Sequence, residues 1–248
     1  MLSVHRYHEI SESTHPILNP LSLEKVALVE DICSPTSGQA VLDLGCGRGE
    51  MLCRFATRFG TTGVGIDVHP PLIEQARERA RILGVEEAVE FRVGDGAAFD
   101  PSGHTFDIVA SIGTSWIGGG LVGTLDLMRA AADDDAWFLI GDVFWQRRPA
   151  DAVALGVRAA DDHGDLVTTL DWIEGAGFDL VEMVVASPDD WDRYSASQWL
   201  NVSRWLAQNP SDPEAAEVRL WRDRSRRSYL TDRGAMGWAV FVLKSTLP

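Results

Sequence analysis

Cysteine is scarce in this 248-residue chain: Cys33, Cys46 and Cys53 are all there are. The number is odd and the spacing is not that of a metal site, so a disulfide framework is excluded and a reduced compartment is indicated. Long apolar runs are also missing, and none reaches the roughly 18 residues that a membrane-spanning helix needs. The first nine residues lack the apolar core of a secretory signal. These absences make a cytoplasmic location the expectation. Positive charge is in short supply, with 22 basic residues against 37 acidic ones and a net charge of −15. Such a chain repels nucleic acid and anionic membranes at long range, so neither is expected as a partner and small molecules are favoured as substrates. No internal repeat and no low-complexity segment is present, and nothing in the chain reports an oligomeric state.

What is present is an ordinary globular composition, 45% hydrophobic and 24% charged. Apolar periodicity switches between strand and helix along the first two thirds. A helix is expected over 21–32, then strands at 40–44, 62–67, 89–93, 106–111 and 137–143. Helices fall between them, from the end of the first strand to about residue 60, over 71–83 and over 121–132. This alternation implies a parallel sheet with helices on both faces. Beyond residue 145 the pattern loosens. Residues 146–162 read as mixed sequence with surface-helix character, 166–174 as a helix, and 178–186 and 238–244 as the last strands. Between those strands, 193–207 and a stretch from about 212 to 229 look helical, with Pro213 suited to a first turn.

The most informative stretch is Val-Leu-Asp-Leu-Gly-Cys-Gly-Arg-Gly at 41–49. A buried strand runs into a turn with Gly45, Gly47 and Gly49 and then into a helix, a device that holds nucleoside cofactors at a helix N-terminus. A dinucleotide fingerprint would need a third glycine at position 50, which is Glu. Asp43 lies where it would repel a pyrophosphate but suit a ligand carrying an ammonium group. S-adenosylmethionine carries an ammonium and a sulfonium and has no phosphate, so an NAD-dependent oxidoreductase is the weaker reading.

The chain resembles the class I S-adenosylmethionine-dependent methyltransferases. The matching pieces are 41–49, Gly-Val-Gly-Ile-Asp-Val at 63–68, Phe-Arg-Val-Gly-Asp-Gly at 91–96 and Phe-Asp-Ile-Val-Ala-Ser-Ile-Gly at 106–113, in order along the chain. Further pieces at 11–20, 114–120 and 191–194 resemble a bacterial subfamily of small-molecule methyltransferases of largely unassigned substrate. Gly-Asp-Val-Phe-Trp at 141–145 departs from that subfamily, where Glu-Pro-Tyr-Trp usually follows the glycine, which puts any role of Asp142 in doubt. The resemblance implies a seven-stranded, mostly parallel Rossmann-like α/β sheet whose last strand is antiparallel. It also implies S-adenosyl-L-methionine as cofactor. Gly45 and Gly47 would pass beneath the methionine portion, with Asp43 near its amino group. Asp67 would accept from the ribose hydroxyls and Asp95 would face the adenine amino group, with Val68, Gly96 and Ile112 completing the cofactor site.

In such a sheet ligands sit outside the carboxyl ends of the parallel strands. Topology then places 187–236, between the last two strands, at the mouth of the site as a helical lid. Residues 1–20 are expected to cover the cofactor from the other side, the core is 21–186, and 237–248 returns as the final strand. Trp116, Trp145, Tyr194 and Trp199 are the candidate substrate-binding residues. Trp116 could equally pack beneath the lid, and Trp199 with Trp205 could be lid core. His15 is the candidate general base, with a cap hydrogen bond as the alternative. His5 and His8 could share a helix face but lack a third ligand at clear spacing, so no metal is expected. The arginines between 219 and 227 read as a solvated face, and 133–135 as a solvated acidic loop. The expected reaction is methyl transfer to an O or N atom of a small, partly apolar metabolite. The rival from another class is a methyltransferase-like protein that binds the cofactor without catalysis.

Overall fold

The computed structural model describes residues 2–148 and 163–247. The expectation of a surface helix at 146–162 therefore lies almost wholly outside the described residues. Among those described, the strands are β1 (Ala40–Leu44), β2 (Thr62–Asp67), β3 (Val89–Val93), β4 (Phe106–Ile112), β5 (Ala132–Trp145), β6 (Phe178–Val185) and β7 (Met236–Ser245). They form one sheet in the order β3-β2-β1-β4-β5-β7-β6. The first five run parallel, and β7 is antiparallel to both β5 and β6. The reversed last strand is thus slotted between its neighbours, and β6 forms the edge.

Alternation of side chains along each strand supplies two cores. Val41, Leu139 and Val240 face α2 (Leu23–Cys33), α3 (Glu50–Phe59) and α4 (Pro70–Leu83), meeting Val29, Phe55 and Ile73. Leu42, Phe138 and Phe241 face α5 (Leu121–Ala130) and α6 (Leu166–Gly175), meeting Leu125, Met128 and Ile173. Both faces of β1 are buried, which is why its sequence reads as a nearly continuous apolar run.

A third core stands apart from the sheet. Leu2, Tyr7 and Ile10 of α1 (Val4–Ser11) and its approach pack with Val202 and Leu206 of α7 (Pro188–Gln208) and Val218 of α8 (Ala215–Thr231). The N-terminal segment and the helices of 187–236 thus share one interior in a single helical layer. A polar anchor holds it down, with Lys25 Nζ of α2 reaching Asp190 at 2.5 Å, and within the layer Thr14 Oγ1 donates to Asn201 Oδ1 at 3.1 Å.

Several boundaries differ from the sequence reading for local reasons. α7 begins five residues early because Ser187 and Asp190 form a reciprocal capping box with Pro188 in the first turn. α8 begins late, at Ala215, since Asp212 Oδ1 accepts from Glu214 N and holds a turn at 212–214. The acidic triplet 133–135 is strand rather than loop. Ala132 pairs with Phe106 on one side of it, and Asp135 receives Lys244 Nζ at 2.9 Å.

Candidate functional site

The turn after β1 is shaped by contacts that leave no space for side chains. Gly45 has φ +85°, and a Cβ there would lie 2.4 Å from Thr114 Cγ2. Thr114 cannot swing away freely, because its Oγ1 donates to Leu44 O at 2.7 Å and lies 2.8 Å from Ser111 Oγ. The backbone N–H groups of Gly45 and Cys46 both reach Ile66 O, at 2.8 and 3.0 Å, fastening the turn to the end of β2. Asp67 closes the frame: its Oδ2 accepts from Gly47 N at 3.0 Å and its Oδ1 from His69 N at 2.9 Å. Its carboxylate is thereby held in one orientation at the carboxyl end of β2.

These groups wall a cavity of about 590 Å³. Asp43, Gly45, Gly47, Asp67, Val68, Asp95, Gly96 and Ile112 all line it, as does Trp116, 63% exposed at its rim. The carboxyl ends of β1, β2, β3 and β4 therefore converge on one space. Asp95 also caps the short 3-10 turn at Gly96–Ala98, its Oδ1 accepting from Ala97 N at 2.9 Å. Asp43 is the most perturbed acid of the site. Burial and the nearby Asp67 carboxylate push its pKa up to about 7, and among the described residues no donor is bonded to its side chain. A buried acid without a partner is the complement of a cationic ligand group.

The roof comes from the N-terminal segment, which the sequence reading had not resolved by residue. His5, His8, Glu12, Leu18 and Asn19 line the cavity, with Arg48 and His69 below them. The rings of His5 and His69 lie 5.1 Å apart, and His69 Nε2 is 3.2 Å from Glu9. His8 Nδ1 stands 3.3 Å from Glu12 Oε1, at the i,i+4 spacing that was the available sequence signal for this pair. Glu12 raises the proton affinity of His8. Burial pushes Glu12 itself up, but hydrogen bonds from His8 and Tyr194 outweigh that and hold it below the usual carboxylate range. Asn19 Nδ2 donates to Ile112 O at 3.2 Å, and Arg48 Nη1 to His15 O at 2.6 Å. Burial lowers the pKa of Arg48, whose Nε is buried without a partner.

Four candidates lie elsewhere. His15 does not line the cavity: its Nε2 is 2.8 Å from Ser197 Oγ and 3.1 Å from Tyr194 O, so it fastens the segment to α7. Tyr194 is likewise a fastener, its hydroxyl donating to Glu12 Oε1 at 2.5 Å and lying 3.1 Å from Leu18 O. Trp199 packs edge-on against Tyr229 at 5.8 Å and lines no cavity described here. Trp145 faces a second, separate cavity. For His15 and Trp199 these placements match the alternatives of a cap hydrogen bond and lid core, whereas Tyr194 and Trp145 lie away from the cavity at the glycine turn. The common cause of the four placements is that α1, and no described residue of 187–236, forms the cavity roof. Asp142 lines neither cavity and sits 3.7 Å from His163 Nδ1, with burial raising its pKa.

Residues 41–120 match the family model for a methyltransferase domain. Over 98% of this chain and 99% of the relative, the sequence is 39% identical to YjhP of Escherichia coli, whose crystal structure superposes with a TM-score of 0.91. An S-adenosylmethionine-dependent methyltransferase from Geobacter sulfurreducens, solved in complex with S-adenosyl-L-homocysteine, is 37% identical with a TM-score of 0.92, covering 99% of this chain and all of that one. One from Thiobacillus denitrificans, in complex with the same molecule, is 39% identical with a TM-score of 0.91, covering 98% and 100%. With the glycine turn, the sheet order and full-length similarity in agreement, the chain belongs to the class I S-adenosylmethionine-dependent methyltransferases.

Proposed function

We propose that this methyltransferase acts on an O or N atom of a small, partly apolar metabolite bound beside the cofactor in the 590 Å³ cavity. The observation that carries the cofactor half of this reading is Asp43, buried, unpaired and raised to about 7 at the turn. An ammonium placed against it restores the charge that burial disfavours. In this reading Arg48 takes the carboxylate of the same amino-acid moiety, Asp67 the ribose hydroxyls and Asp95 the adenine amino group. Gly45 and Gly47 let the backbone approach, and Val68, Gly96 and Ile112 pack around the ligand. When bound, S-adenosylmethionine supplies an electrophilic methyl on a sulfonium, so the protein's task is to align the acceptor and exclude water.

A hydroxyl acceptor must lose a proton, and the group suited to take it is His8 rather than His15. Its ring lines the cavity, and Glu12 beside Nδ1 makes it a stronger base. Glu12 is in turn oriented by Tyr194 and by Gln198 Nε2 at 3.0 Å. The dinucleotide alternative is disfavoured by Glu50, whose carboxylate occupies the first turn of α3 and is bonded by Arg79 at 2.6 and 3.0 Å. A paired side chain therefore stands where the dinucleotide fingerprint needs its third glycine.

The test pairs thermal shift with turnover. S-adenosylhomocysteine should raise the melting temperature and NAD should not; the reverse would overturn the cofactor reading. With a methyl-labelled donor, a metabolite extract should yield a labelled small product. Cofactor binding with no labelled product from any extract would favour the non-catalytic rival.

A further inference from the structure

A second cavity, of about 240 Å³, lies at the strand ends that the first leaves free. It forms where β5 ends at Trp145, where α7 begins with Pro188 and Trp191, and where β7 begins at Met236. Tyr229 and Asp232, at the end of α8, complete it. Among the described residues it shares no lining residue with the first cavity. Gly141 pairs with Ile112 at the wall of the first, and Trp145 is four residues further on. At about 3.3 Å per residue the second cavity therefore starts some 13 Å beyond that wall along the strand.

Its walls have a specific chemistry. Three aromatic rings, those of Trp145, Trp191 and Tyr229, surround a space smaller than a drug-sized pocket. The cation among the described lining residues, Arg233, is committed elsewhere: its Nε and Nη2 reach the two oxygens of Asp192 at 2.7 and 2.5 Å. Tyr229 donates its hydroxyl to the same Asp192 at 2.6 Å. Asp232 has no such partner for Oδ2, which is buried and bare, and the indole N–H groups of Trp145 and Trp191 are buried and bare as well. Among the described residues, Asp232 thus brings to the cavity wall a carboxylate with no cation bonded to it, a charge that a ligand cation would balance. Aromatic rings beside an uncommitted carboxylate favour a positive charge.

We propose that this cavity binds a small organic ammonium ion. Its cationic head sits among the three aromatic rings beside Asp232. The site is separate from the glycine turn and stands whether or not the assignment of the first cavity holds.

Choline and its neutral carbon isostere, 3,3-dimethylbutan-1-ol, are the probes, titrated into the full-length protein by calorimetry with tryptophan fluorescence as a second signal. Saturable choline binding is expected, with the alcohol at least tenfold weaker. Asp232→Asn should weaken choline at least tenfold while leaving S-adenosylhomocysteine affinity unchanged, which also certifies the fold. Trp191→Leu should do the same by a different wall. Equal affinity for the two probes, absence of saturable choline binding, or an unaffected Asp232→Asn variant would each overturn the proposal. A labelled methyl donor adds a further check. Choline should bind without methyl transfer, because its hydroxyl cannot span the distance between the two cavities; a methylated choline would place it in the first cavity and overturn the proposal. Loss of S-adenosylhomocysteine binding by the unaltered protein would sink the reading of the first cavity and leave this one standing.

Discussion

Replacing Asp43 by Asn should make the ligand-free protein more stable and its cofactor binding worse. Asp43 is 4% exposed, and burial together with Asp67 raises its pKa from 3.8 to about 7. A raised folded-state pKa means that the folded chain holds this proton more tightly than the unfolded one. The stability present below the unfolded pKa is therefore lost as pH climbs through about 7. A shift of roughly three units corresponds to about 4 kcal/mol at most. Asn keeps the shape and removes the titration. The variant should thus exceed the native protein by about 3 kcal/mol at pH 8, and by only about 1 kcal/mol at pH 5, where folded Asp43 is already protonated. Binding should respond in the opposite sense. The ligand ammonium stays protonated across this range, so native affinity for S-adenosylhomocysteine should fall by about tenfold per pH unit below 7. The variant should bind weakly with a flat profile. Urea unfolding at pH 5, 6.5 and 8, with calorimetric titration at the same values, measures both. A variant less stable than the native protein at pH 8, or a native affinity unchanged from pH 8 to 5, would refute the reasoning.

Gly45→Ala places a Cβ 2.4 Å from Thr114 Cγ2 at a φ of +85°, so unfolding midpoints should drop by about 2–4 kcal/mol with cofactor affinity lost in parallel. Tyr194→Phe removes the hydroxyl that holds Glu12 and approaches Leu18 O, at a cost of about 1–3 kcal/mol to the docking of the N-terminal segment. Amide exchange over α1 and residues 12–19 should accelerate while the sheet stays protected, and unchanged exchange would show that the roof is held by its apolar core alone.

The sheet was legible because each of its signals is local. The apolar run in Ala40–Leu44, the glycines at 45 and 47, and the acid twenty residues after Gly47 are all read within one strand–turn–helix unit and its successor. The reversal of β7 came from family resemblance rather than periodicity, since Met236–Ser245 is apolar almost throughout and does not reveal its direction. The cap helices were legible in part. Their apolar stripes announce a buried face, but the capping box that starts α7 and the turn that delays α8 depend on side-chain hydrogen bonds at their ends.

The roof of the site was not legible because its contacts join residues far apart in the chain. Glu12 meets Tyr194 across 182 positions, His15 meets Ser197 across the same span, and Arg48 reaches back to the carbonyl of His15. Aromatic and histidine residues in such segments look alike whether they fasten the cap or face the ligand. The distinction lies in hydrogen-bond partners: His15 and Tyr194 have theirs within the cap, whereas His8 has one nitrogen braced by Glu12 and its ring in the cavity wall. Cavity placement separates the aromatics of the lid. The indole N–H groups of Trp145, Trp191 and Trp199 are all buried and bare, but Trp199 lines neither cavity, whereas Trp145 and Trp191 line the second. An unpaired carboxylate in a cavity wall, Asp43 in the first and Asp232 in the second, rather than aromatic content or position after a strand, therefore marks the surfaces that await a ligand. By that measure the carboxyl edge of the sheet carries two of them, one under α1 and one between α7, α8 and the ends of β5 and β7.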